Sequence, residues 1–325
     1  MIRIMTYGLR YADFAKQREL FALRNNGEIE IVEEMAYDPS EPEIFYRRFQ
    51  PDDPPGITPD MVVVCSGTIE KARAHLAGYG NVRFEELSVL TKPHDEKIKE
   101  KQLEILSELV AADTECIHDR EWMRDQLNAY GFYPFFKLAK EPKPGVIWST
   151  RGILQVPEEF LEFCMFLADV KVESAIEIGV ARGASSYVMA ALLYRNNPDL
   201  VYHMVDIADD LNEFEKVREI IPALQKDIPK TSDDFAGQAF DFCFIDADHS
   251  YEGMMNDWKN VGQYAKKLTV FHDIYGHEYD HLNGGTVRGW QEIKASFEEE
   301  SIREFSIFPD RWMGIGVVDR HGTAD

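Results

Sequence analysis

The sequence is poor in cysteine. Cys65, Cys116, Cys164 and Cys243 are the only four in 325 residues, and they are too far apart for any metal-binding spacing. This excludes a disulfide-stapled scaffold or a zinc ribbon and suits a reducing compartment, so a cytoplasmic location is expected. Cys164 and Cys243 lie in apolar segments and read as small buried hydrophobes. Positive charge is scarce too: 35 Lys and Arg face 58 Asp and Glu, a formal net charge of -23. Phosphate backbones are bound by clustered cations, so nucleic acid and anionic membrane surfaces are excluded as partners. No apolar run approaches the roughly 20 residues of a membrane span. The opening Met1-Ile-Arg-Ile-Met-Thr6 passes straight into strand-like sequence, without the pattern of a signal peptide. Internal repeats and low-complexity tracts are also absent.

What is present is ordinary globular sequence, 45% hydrophobic, in a chain long enough for about two domains. Residues 2–7 read as a strand, 11–24 as a helix and 28–36 as a second strand. Asp38 to Asp60 carries six prolines and reads as mostly loop. Met61 to Cys65 is a buried-type strand, Thr68 caps a helix reaching Leu76, and Val82 to Leu90 reads as a further strand. A β-α-β-β-α-β order predicts a small α/β domain. It holds no phosphate loop, metal set or nucleophile elbow, and reads as a substrate-covering or oligomerisation module, so a homo-oligomer is allowed. Helices are expected at 94–112 and 120–129, followed by the aromatic turn Tyr130 to Phe136. Glu141-Pro-Lys-Pro-Gly145 is the best linker, which divides the chain into 1–145 and 146–325.

The second part opens with Gln155, a candidate cover for a cofactor, and Pro157, suited to a first helical turn. Phe160, Phe163, Cys164 and Leu167 then recur at helical spacing. Ser174-Ala-Ile-Glu-Ile-Gly-Val-Ala-Arg-Gly-Ala-Ser-Ser186 reads as a strand, a glycine turn and a helix start capped by Ser185 or Ser186. Strands are expected at 201–206, 240–246 and 268–271, and helices at 212–225, 251–265 and 287–299. Between Asp206 and Phe240 no third strand is convincing, 227–230 being the only room for one. A polar and aromatic loop, 274–285, carries Tyr275, His277, Tyr279 and His281 and reads as a substrate lid. Strands 305–308 and 313–318 close the chain as an antiparallel edge.

Three of these strands end in acids or in acid plus histidine: Asp206, Asp246 and His272-Asp273. The carboxyl ends of a parallel sheet share one rim, so Glu177, Asp206, Asp246, Asp248, His249, His272 and Asp273 can converge beside the glycine turn. Asp206 lies 27 residues past Gly179 and can accept hydrogen bonds from a ribose diol. That spacing exceeds the roughly 20 residues of a dinucleotide fingerprint, and G-x-G-x-x-G is absent, so nicotinamide is disfavoured. An acid at 177 inside the turn suits a ligand with cationic groups.

These residues carry a resemblance. Glu177-Ile-Gly-x-x-x-Gly-x-Ser185, the strand-end Asp206, Asp246-Ala-Asp-His-Ser-Tyr-Glu-Gly253 and Val270-Phe-His-Asp273 resemble a class I S-adenosylmethionine-dependent methyltransferase of the small-molecule (sugar or natural-product) O-methyltransferase branch. The resemblance spans about 152–320. It implies a Rossmann-like domain, mostly a parallel sheet with an antiparallel C-terminal edge, preceded by the smaller α/β domain. It implies S-adenosyl-L-methionine as cofactor, bound by Glu177, Gly179, Gly183, Ser185, Asp206, Asp233 and Asp246, and a small hydroxylated acceptor. It also implies Asp246, His272 and Asp273 as ligands of a divalent metal, with Asp248 as base. His272 stands where that branch has Asp. Magnesium prefers oxygen donors, so the histidine favours a softer ion, or no metal with His272 itself catalytic. His249 is a further candidate base. A same-fold metal-dependent hydroxylase or lyase and a non-enzymatic cofactor-binding module are the alternatives.

Overall fold

The computed structural model describes residues 1–9, 12–37, 45–47, 59–76, 82–135, 145–308 and 312–320. The chain divides into two compact units, 1–101 with 129–152, and 102–128 with 153–325. This differs from the boundary expected at 145, because the helical stretch 102–128 groups with the second unit. The hydrogen bonds give the reason. Within that unit Arg120 pairs with Glu162, His118 with Asp169, and the Arg195 guanidinium donates to the Ala112 carbonyl.

The first unit is built on a five-stranded sheet of β1 (Ile2–Tyr7), β2 (Ile29–Tyr37), β3 (Phe45–Arg47), β4 (Met61–Val64) and β5 (Arg83–Glu86), in the order β3-β2-β1-β4-β5. All neighbours are parallel except β2 and β3. Strand side chains alternate between faces. Ile4 and Val63 therefore join one core cluster, with Leu20 and Leu23 of helix α1 (Phe14–Asn25), while Met5 and Val62 join another, with Ala72 of α2 (Ile69–His75). A sheet covered on both faces reads as a continuous apolar run, which is why Met61–Val64 was legible. Thr68 caps α2 as expected, accepting from the Lys71 amide at 3.2 Å. One detail is added and one reading is corrected. Phe45–Arg47 is a strand inside the proline-rich segment, the remainder of which up to Thr58 lies outside the described residues, as do Phe136 and Glu141 to Pro144. The fourth expected strand ends at Glu86, and helix α3 (Ser88–Ala111) begins soon after it, followed by α4 (Thr114–His118) and α5 (Arg120–Tyr130).

The second unit carries a seven-stranded sheet: β6 (Ser174–Ile178), β7 (Val201–Val205), β8 (Leu224–Asp227), β9 (Phe242–Ile245), β10 (Leu268–Gly276), β11 (Ile302–Phe305) and β12 (Trp312–Asp319). The order is β11-β12-β10-β9-β6-β7-β8. Pairing is parallel from β8 to β10, and β12 runs antiparallel to both of its neighbours. This is the expected Rossmann-like architecture with an antiparallel edge. The chain winds outward in both directions from β6, which makes the crevice between the carboxyl ends of β6 and β9 the topological switch point. Helix α6 (Pro157–Leu167) buries Phe160, Phe163, Cys164 and Leu167 completely. Each of the phenylalanines and the leucine contributes about 1.5–3 kcal/mol of burial.

Three local expectations change. Neither Ser185 nor Ser186 caps helix α7 (Ala184–Asn196). Gly183 is its N-cap, at φ 82, and Ser186 is buried within the helix. A third strand does exist, at Leu224–Asp227, overlapping the end of the helix expected over 212–225 and touching the room at 227–230 only at Asp227; helix α8 (Phe214–Ile220) stops short of it. The strand β10 runs to Gly276, past His272 and Asp273, with a slip in register between His272 and Tyr275. Among the described residues no helix is long and apolar enough to cross a membrane.

Candidate active site

The glycine turn after β6 owes its shape to a close approach. Gly179 has φ 90, and a Cβ there would run into the carbonyl of Asp246 at the end of β9. The two strand ends thus meet backbone to backbone, and a cleft of about 580 Å³ opens above them. Asp206 forms one wall. Its carboxylate accepts from the amides of Val180 and Ala181 in the turn, at 3.1 and 2.9 Å, and from Ala208 at 3.1 Å. The neighbouring Ile207 is 74% exposed, an apolar surface at the mouth of the same cleft. Asp233 lines it too, held by Asn256 and Asn260 at 3.1 and 2.6 Å.

Asp246, Ala247, Asp248 and His249 supply another part of the lining. Asp248 is exposed there, with one oxygen accepting from the Ser250 amide at 2.9 Å. Gly253 packs beneath it with no room for a side chain. Asp246 and His249 belong to a four-residue cluster with His272 and Asp273, whose ligand atoms all lie within 4.8 Å of one another. His249 Nε2 lies 3.0 Å from Asp273 Oδ2, and His272 Nδ1 lies 3.0 Å from Asp246 Oδ1. Burial would lower the basicity of both imidazoles. The carboxylates outweigh it and push His249 up to about 10 and His272 up to about 9. Burial likewise works to raise the Asp246 carboxyl, but the charge of His272 and the hydrogen bonds of the two histidines hold it below its ordinary value.

The cluster unites Asp246, His272 and Asp273, the expected metal ligands, and adds His249, which sequence reasoning had cast as a base. Asp248 stands beside the cluster, not in it. Gly179, Asp206, Asp233 and Asp246 share the cleft, whereas Glu177, Gly183 and Ser185 are not among its lining residues. Glu177 is buried within the sheet, where it accepts from the Tyr202 hydroxyl at 2.7 Å. Burial pushes its carboxyl up to about 8. Glu177 thus lies outside the lining of the cleft, with its carboxyl held above its ordinary value. Gln155 is also buried and lines no part of the cleft.

On the expected lid, Tyr279 alone reaches the cluster. It stacks on His249 at 4.4 Å between centroids. His277 pairs with Asp280, Tyr275 donates to Glu304, and His281 is exposed. Sequence reasoning missed Tyr202, Lys230 and Asp257. Of these, Tyr202 had a signal, a polar aromatic in a buried strand that needs a partner.

A family model, "Methyltransferase domain", matches residues 176–274. The matched span runs from β6 into β10 and contains the glycine turn, Asp206 and all four cluster residues. Solved structures are similar over about half of the chain. The O-methyltransferase TomG from Streptomyces achromogenes, in complex with S-adenosylmethionine, is 17% identical with a TM-score of 0.37, covering 51% of this chain and 82% of its own. An O-methyltransferase from Bacillus cereus, in complex with S-adenosylhomocysteine, is 14% identical with a TM-score of 0.36, covering 53% and 84%. An S-adenosylmethionine-dependent O-methyltransferase from Thermotoga maritima is 14% identical with a TM-score of 0.35, covering 51% and 67%. No curated protein matches the chain.

Proposed function

We propose that the second unit transfers a methyl group from S-adenosylmethionine to a hydroxyl of a small hydroxylated acceptor, such as a sugar or a natural product. The observation that carries this reading is a single cleft lined both by Asp206 and by Asp246, Asp248 and His249. The donor set fits the cofactor. A carboxylate at 206 can accept from a ribose diol, and five aspartates against Lys230 suit a ligand bearing a sulfonium and an ammonium. The cluster fits a divalent ion, with Asp246, His249, His272 and Asp273 as its holders.

The cofactor supplies an already activated methyl group, so the chain has two tasks, to align an acceptor oxygen and to remove its proton. An ion at the cluster would lower the pKa of a bound hydroxyl. Asp248, exposed beside the cluster with one oxygen fixed by the Ser250 amide, is the proton acceptor. Tyr279 covers His249 and restricts water on that side.

Calorimetry with S-adenosylhomocysteine tests the reading directly. One molecule should bind per chain, and Asp206→Asn should weaken binding by about 10-fold or more, since an amide nitrogen cannot accept from the diol. A flat titration of the folded wild-type protein removes the proposal. An unchanged affinity in a variant of unaltered melting temperature removes the role of Asp206.

A further inference from the structure

His272 and Asp273 are adjacent on β10, and neighbours in a regular strand point to opposite faces. Here both reach one cluster. Asp273 takes a left-handed backbone, φ 55, and the pairing with β12 slips at this point. A bulge of this kind re-aims side chains, and a non-glycine residue in that region carries about 1–3 kcal/mol of strain. The four donor atoms then alternate nitrogen and oxygen around a ring. Its edges are 3.0 Å from His249 to Asp273, 3.6 Å from Asp273 to His272, 3.0 Å from His272 to Asp246 and 3.5 Å from Asp246 to His249. Two donors held by one ion through bonds of about 2.1 Å lie roughly 3.0 Å apart at a right angle and roughly 3.4 Å apart at the tetrahedral angle. The ring has nearly those dimensions. His272 Nε2 is buried without a hydrogen-bond partner, so this ring is anchored through Nδ1, the atom that faces the cluster.

We propose that Asp246, His249, His272 and Asp273 together hold one first-row transition-metal dication and discriminate against magnesium. Two imidazole nitrogens among four donors suit iron, cobalt or zinc, whereas magnesium takes oxygen donors and keeps its waters. His249 then serves as a ligand, which leaves the proton to Asp248. The inference rests on the proposed methyl transfer for the use of the ion, though not for its binding.

The test uses the full chain after dialysis against a chelator. Co²⁺ and Mg²⁺ are titrated separately by calorimetry, and the visible spectrum of the Co²⁺ protein is recorded. One Co²⁺ should bind per chain, about 100-fold or more tighter than Mg²⁺, with bands typical of nitrogen ligation. His249→Gln should weaken Co²⁺ binding by about 10-fold or more and shift those bands, and His272→Asp should narrow the preference over Mg²⁺. The proposal is overturned if Co²⁺ is not taken up stoichiometrically, if Mg²⁺ binds as tightly, or if His249→Gln, folded by circular dichroism, leaves affinity and spectrum unchanged. The wild-type comparison stands even where a variant does not fold. S-adenosylhomocysteine is titrated into the same metal-free protein. Heat from it without Co²⁺ uptake overturns the ion and keeps the methyltransfer reading; Co²⁺ uptake without that heat does the reverse.

Discussion

At the scale of the residue, Glu177 shows how little a side chain's charge says before its surroundings are known. Its strand, β6, pairs with β7 so that Glu177 lies opposite Met204 and diagonal to Tyr202. Diagonal neighbours share a face, and the Tyr202 hydroxyl reaches the carboxyl there. The folded protein keeps the proton up to about pH 8, whereas the free group, with an ordinary value of 4.5, has already lost it. The folded value lies above the unfolded one. The protein therefore loses stability as pH rises from about 4.5 to about 8, by about 1.4 kcal/mol per unit at most, and the loss levels off above that window. Glu177→Gln should abolish this dependence. In urea unfolding the variant should gain on wild type by a few kcal/mol between pH 5 and pH 8, and a constant difference across that range would contradict the buried protonated acid. The acids themselves were legible as strand ends. Which of them face the cleft was not, because that depends on cross-strand partners that lie 25 or more positions away.

At the scale of the element, legibility followed burial. β6 and β9 are apolar, central and flanked on both sides, so their sequences announce them. β8 is an edge strand with one buried residue in four, Leu224, and the run Leu-Gln-Lys-Asp carries no strand signal. It forms because β7 offers a parallel ladder to it. The extent of β10 was hidden for a different reason: its bulge brings two adjacent polar residues to one side, which breaks the alternation that marks a strand. The junction of β6 with β9 yields a prediction. Gly179→Ala sets a methyl group against the Asp246 carbonyl, a backbone atom that cannot turn aside. It also sits at a positive φ. The variant should lose about 2 kcal/mol or more of stability. It should also lose S-adenosylhomocysteine binding at temperatures where it remains folded. Wild-type stability and binding in Gly179→Ala would show that the two strand ends do not meet as described.

At the scale of the molecule, the surplus of acid is the dominant property, with a net charge of -23. It should keep the protein from polyanions. A mobility-shift assay with duplex DNA at about 50 mM salt, where non-specific binding is strongest, should show no complex at micromolar protein. A salt-sensitive shift would reveal a basic surface that the overall charge conceals. The division into two units was only partly legible, since the contacts that tie 102–128 to the second unit are made by Arg120, His118 and Ala112 with residues some 40 to 80 positions further on.

The place of β12 has a bearing on biosynthesis. It follows every other strand in the chain, yet it lies between β10 and β11, and its Ile315 is the ladder partner of His272. A nascent chain still lacking β12 has no antiparallel ladder on that flank of β10 to hold the bulge at His272 and Asp273 in register. The glycine turn and Asp206 belong to strands already able to pair by then. The cleft beside Asp206 thus rests on strands made earlier in the chain than the strand that braces the cluster. On the methyl transfer proposed above, a chain released before β12 is made should bind the cofactor without turning it over.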